Sequence, residues 1–187
     1  MFFGRNKPNK TFAEFLQSFD FLCDGITNFV LNYFFDSSIV TLNKDAENID
    51  DVFETIDLNI LSQNINKIII NGDNLKHVIQ KTIGLYQSVL KENLYGIEET
   101  VFDTNKEIFK KLLDVSVGIE LTTYKIRLNC FIFFNKHNNN VDKFITDTTK
   151  EDFVSLYTAF NEFTKLLTIF TYNLHKTLGG NNGKEKL

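Results

Sequence analysis

A mainly α fold, an antiparallel bundle of about five helices, is predicted by three observations. Apolar residues recur at spacings of three and four over most of the chain, the signature of one buried helical face. The only proline is Pro8, so no interior position carries a proline break. Hydrophobic residues make up 43% of the 187 residues and charged residues 24%, which suits one packed domain and is too apolar for disorder. A single helical domain is expected over 11–178, between a flexible N-terminus at 1–10 and a flexible tail at 179–187.

The first helix carries Phe12, Phe15, Leu16, Phe19, Leu22, Cys23, Ile26, Phe29, Val30, Tyr33 and Phe34 on one face. Thr11 is its predicted cap, and Glu14 three residues later completes a capping box. It should end near Asp36-Ser37-Ser38. A polar connection follows, broken only by Ile39-Val40-Thr41-Leu42. A second helical pattern spans 49–69, with Asp50, Asp51 and Glu54 in its first turns, where the helix dipole favours acid. Asn71-Gly72 should stop it, since both tolerate positive φ, although the isoleucines within 67–71 also suit a short strand. Asp73 then caps a third helix through Leu75, Ile79, Tyr86 and Leu94, with Gly96 as its stop.

Residues 104–135 hold two patterns. Ile108, Phe109, Leu112, Leu113 and Val115 are spaced as a helix, with Lys110 and Lys111 outward. Tyr124, Ile126, Leu128, Cys130 and Ile132 instead alternate with Lys125, Arg127 and Asn129, as a half-buried strand would. The helical, proline-free flanks favour one long helix. The alternative is an α+β fold with a small sheet within 117–134, turning at Thr122-Thr123 without the Asn-Gly or Asp-Gly of a tight hairpin. After a polar loop at 135–141, Thr148 and Glu151 form the capping box of the last helix. That helix carries Phe153, Leu156, Tyr157, Phe160, Phe163, Leu167, Phe170 and Leu174, and Gly179-Gly180 ends it.

Several function classes are excluded by composition. The formal charge of −4 is wrong for a generally basic nucleic-acid binder, and the two arginines, Arg5 and Arg127, are too few for base readout. Lys106, Lys110 and Lys111 read as a solvated face diluted by Glu107 and Asp114. No uncharged apolar stretch reaches the length of a membrane span. Phe2, Phe3, Arg5, Lys7 and Lys10 form an aromatic and basic tip that reads as a frayed terminus. Two cysteines rule out a disulfide scaffold, and Cys23 and Cys130 read as buried thiols in a reducing compartment. Phe, Asn, Lys, Ile and Tyr, all with AT-rich codons, are abundant; 22 residues are asparagine. That bias points to a low-GC genome, of a parasite, bacterium, virus, phage or mobile element; the reducing compartment implied by the cysteines points to a cytoplasmic setting (host cytoplasm or virion for a virus).

Chemistry-bearing motifs are missing: no nucleophile elbow, no phosphate loop, no Cys-x-x-Cys and no His-Glu-x-x-His. His77, His137 and His175 are far apart. Acidic pairs spaced by four do occur, Asp20 with Asp24, Glu47 with Asp51, and Glu99 with Asp103. On a helix each pair shares a face, which makes Asp20, Asp24, Glu99 and Asp103 the fallback metal ligands. Over its one short spacing, the Asp20–Asp24 pair beside a Phe-rich face is similar to the acidic clusters of phosphate-uptake regulators, which are helical bundles that hold metal. The reading without that resemblance is a protein that is not an enzyme and has neither cofactor nor metal.

The aromatic surplus supplies the positive expectation. Phe21, Leu31 and Phe35 fall off the main face of the first helix, and Leu166, Ile169 and Tyr172 widen the stripe of the last. A helix apolar on more than one side is central in its bundle or buried against another chain. These six residues are the expected interaction surface, with a second copy or another protein as partner. The alternative function is a small-ligand or metal-sensing regulator with a pocket inside a Phe-lined core.

Overall fold

Among the described residues, four long helices run alternately up and down, and side chains that meet across them set their order. The computed structural model describes residues 9–92, 97–135 and 139–179. The expectations for Phe2, Phe3, Arg5, Lys7, Gly96, His137 and the tail from Gly180 lie outside those residues. The elements are α1 (Lys10–Tyr33), β1 (Val40–Leu42), a 3-10 turn (Ile49–Asp51), β2 (Phe53–Ile56), α2 (Leu58–Gln63), α3 (Ile65–Val89), α4 (Ile97–Asn135) and α5 (Asn139–Gly179). Among the described residues, five α-helices and one small sheet make the fold mainly α, as the periodicity predicts.

Ser18 meets Thr82 at 2.8 Å while Tyr33 meets Asn71 at 3.0 Å, so α1 and α3 are antiparallel. The Tyr86 hydroxyl donates to the Lys106 carbonyl and Arg127 reaches the Ile69 carbonyl, so α3 and α4 are antiparallel. The Phe109 ring meets that of Phe170 while Asn129 donates to Asp152, so α4 and α5 are too. Phe19–Phe170 and Phe34–Phe153 ring contacts close the bundle between α1 and α5. The core is accordingly aromatic: Phe109 lies 4.9 Å from Phe15, 5.0 Å from Phe19 and 5.0 Å from Phe170, ring centre to ring centre.

The helices differ in length. At 1.5 Å per residue α1 and α3 span about 36–38 Å, whereas α4 and α5 span about 58–62 Å. The segment between α1 and α3 covers the excess, with α2 packed on α4, and β2 and the 3-10 turn on α5. The two strands are antiparallel, pairing Val40 with Ile56 and Thr41 with Thr55 before the register shifts at Leu42.

Several local expectations need correction. Asn9, not Thr11, caps α1, its side chain accepting from the Phe12 amide at 3.1 Å, because the helix begins two residues earlier. The helix expected over 49–69 is not continuous. Phe53–Ile56 is a strand because Ile39-Val40-Thr41-Leu42, the apolar break in the polar connection, is there to pair with it. Asp57 then caps α2, accepting from Asn59 and Ile60 amides.

Asn71-Gly72 does not stop a helix and Asp73 does not start one; α3 passes through all three. The Asn71 amide donates to the Lys67 carbonyl one turn back. Gly72 serves close approach and not a turn, since a Cβ there would lie 2.7 Å from the Arg127 Cζ. The favoured long helix over 104–135 is present as α4, and the alternative sheet within 117–134 is not: the sheet lies at 40–42 and 53–56. Finally, α5 starts at Asn139, so Thr148 sits inside it. Threonines along α5 turn back onto their own helix, as Thr149 does to the Ile145 carbonyl at 2.7 Å, and so stay satisfied without ending it.

Candidate interaction surface

Of the six residues expected to form the interaction surface, four are exposed. Phe21 and Leu31 on α1, and Ile169 and Tyr172 on α5, face solvent. Phe35 turns inward, its ring 5.8 Å from Tyr157 and 5.9 Å from both Phe53 and Phe160. Its half-burial follows from α1 ending at Tyr33, which frees the chain to tuck Phe35 under β2. Leu166 is half-buried against the core as well. Phe21 and Leu31 are ten residues apart, about 15 Å along α1. Phe21 lines a cleft of about 310 Å³ between α1 and α3 with Asn28, Asn32, Asn71 and Asn74.

A larger apolar surface lies on α4. Its inner face buries Phe102, Phe109, Leu112, Ile119, Ile126 and Cys130. On its outer face the first half is polar, with Lys106, Lys110 and Asp114 exposed. The second half is apolar: Leu121, Tyr124, Leu128 and Phe131 are each 48–57% exposed. Steps of three, four and three put these four in one stripe on the side of the helix away from the core. Ile69 and Ile70 are also exposed, on the α3 turn that Arg127 reaches.

Between the two apolar faces of α4 lies a buried charge. Arg127 is 5% exposed. Its Nη2 is 3.3 Å from Glu120 Oε1, and its Nη1 is 3.6 Å from Asp73 Oδ1 and 3.4 Å from the Ile69 carbonyl. A guanidinium suits this place because its planar fork serves several acceptors at once. Its Cζ lies 5.4 Å from the centre of the Tyr124 ring, so the buried cation also holds an aromatic of the outer stripe.

The two apolar faces explain why the region reads as a strand in sequence. The alternating set mixes Tyr124 and Leu128 from the outer face with Ile126 and Cys130 from the inner one. Sequence reasoning missed the stripe for that reason; a helical projection of 117–131, with its two opposed dry faces, would have found it.

The polar chemistry is sparse. Asp20, Asp24, Glu99 and Asp103 are all exposed, and Glu47 and Asp51 lie beside a surface cleft of about 440 Å³. Among the described residues no three His, Cys, Asp or Glu side chains come together as a metal site. Burial pushes the Cys23 thiol up to about 12, with Asp20 and Asp24 adding to it, and burial pushes Cys130 up to about 12 despite the Ser62 hydroxyl. Thiols held protonated in this way are poor nucleophiles. Partial burial raises the Asp152 carboxyl, opposed by Lys125 and by the Asn129 amide at 3.1 Å. Among the described residues, no helix is long and apolar enough to cross a membrane. Comparison with protein families, with curated proteins and with solved structures finds no match for this chain.

Proposed function

We propose that this chain is a non-enzymatic helical interaction protein that acts as an oligomer or as one component of a larger assembly. One observation carries the reading: α4 is apolar on two opposite faces, and the bundle covers only one of them. An exposed stripe of two leucines and two aromatic rings is what partner-binding helices present. A viral, phage or mobile-element source accords with it through codon bias alone, and a cytoplasmic setting through two lone cysteines.

The alternative, a regulator with a ligand chamber inside the Phe-lined core, has less support. Phe15, Phe19, Phe109 and Phe170 fill the centre with ring contacts of 4.9–5.4 Å, and the clefts of about 310–440 Å³ open at the surface.

The test is a Tyr124→Lys, Leu128→Lys variant. Its helicity by circular dichroism should match the parent, and its unfolding free energy, measured at roughly 0.1 μM where a micromolar oligomer has dissociated, should lie within about 1–2 kcal/mol of it, the lost Arg127–Tyr124 contact included. Unfolding of this variant would show that the stripe is core and would end the interaction reading.

A further inference from the structure

Resting on that reading, we infer that the partner of the α4 stripe is a second copy of this chain, docked antiparallel across residues 121–131. The stripe is its own complement. The intervals from Leu121 to Tyr124 to Leu128 to Phe131 are three, four and three, the same in either direction. An antiparallel copy centred between Tyr124 and Leu128 sets Leu121 against Phe131 and Tyr124 against Leu128. Every apolar position then meets an apolar position, and every ring meets a leucine. A two-fold interface requires this self-matching, because one patch must serve both sides. A parallel copy would set ring on ring and leucine on leucine.

Charge opposes the pairing only weakly, because the two Lys125 side chains that flank the two-fold axis in this register are exposed and their repulsion is screened by water. Between Leu121 and Phe131 the only cations are Lys125 and Arg127; Arg127 is buried on Glu120 and Asp73, which leaves Lys125 as the one exposed charge. The Arg127 guanidinium lies 5.4 Å from the centre of the Tyr124 ring, a contact that docking can keep. Area sets the strength. The four side chains with Ile70 expose on the order of 500–600 Å² of side-chain surface, against roughly 800 Å² per partner in a standard interface. That places the dimer at the small end of specific interfaces, with a micromolar dissociation constant expected.

Sedimentation of the full chain at up to about 100 μM, roughly ten or more times a micromolar constant, is the first measurement. A dimer of twice 21.7 kDa that reverts to 21.7 kDa in the Tyr124→Lys, Leu128→Lys variant, with helicity kept, is the expected result. Register is read by oxidative cross-linking, with the buried Cys23 and Cys130 as silent background. Chains carrying Tyr124→Cys alone, or Leu128→Cys alone, should cross-link poorly, and an equimolar mixture should cross-link well. Efficient cross-linking of either variant by itself overturns the antiparallel register. A dimer that survives the double lysine variant overturns the surface. A folded monomer at the highest concentration overturns self-pairing while leaving the interaction reading to a different protein, whereas an unfolded double variant overturns both.

Discussion

Phe109 and Arg127 stand about five turns apart on α4 and so point from the same side of the helix. Phe109 enters a nest of rings from α1, α4 and α5, with Phe102, Phe15, Phe19 and Phe170 around it. Arg127 enters a seam against α3 where Gly72 leaves room for a guanidinium and Asp73 and Glu120 balance it. The lower half of the helix is held by dry packing that tolerates no gap. The upper half also packs Ile119, Ile126 and Cys130, and adds a buried charge that is stable only while its neighbours keep their places. The same difference shows on the outer face, charged beside Phe109 and apolar beside Arg127.

Removing the ring that centres the lower half should have the largest effect. Phe109→Ala leaves a cavity among four rings and should cost about 3–5 kcal/mol, read from urea unfolding. A loss under about 1 kcal/mol would mean that the nest collapses to fill the gap and is not close-packed.

A smaller effect with a reversible sign sharpens the account of the upper half. Gly72→Ala pushes a methyl into the guanidinium and should cost about 1–3 kcal/mol. In an Arg127→Met background the same change should instead stabilise by about 0.5–1 kcal/mol, since alanine is the better helix former once the clash is gone. The same sign in both backgrounds would separate Gly72 from Arg127.

The smallest effect concerns Asp152, against Asn129 in the upper half. Its carboxyl is raised in the folded chain, chiefly by burial, so the folded state holds the proton more tightly. That contribution is present below the unfolded carboxyl range and is lost as pH rises through the folded value. Asp152→Asn should therefore gain stability over the parent at neutral pH and not at acid pH, by less than about 1 kcal/mol because water screens the group. Parallel pH profiles for the two proteins would rule this out.

Much of the helical content was legible in the chain. The faces of α1 and α5 appear as unbroken three–four spacings, because each has one dry side and each buried Phe obeys it. The exposed apolar surface was legible only in part: Phe21, Leu31, Ile169 and Tyr172 are exposed, but Phe35 and Leu166 are half-buried, and the α4 stripe was hidden in an apparent alternation.

By itself the sequence determined the mainly α class, four of the aromatic contributors to the central nest and the continuity of α4, since periodicity and the lack of interior proline are local properties. Tertiary structure decided what Gly72 is for, why Phe53–Ile56 is a strand and which side of α4 buries Arg127. Each of those depends on a partner distant in the chain: Arg127 for Gly72, Val40–Leu42 for the strand, Asp73 for the guanidinium. A glycine reads as a stop until the side chain that needs its space is known, and a buried charge reads as a break in the pattern until its acids are in place.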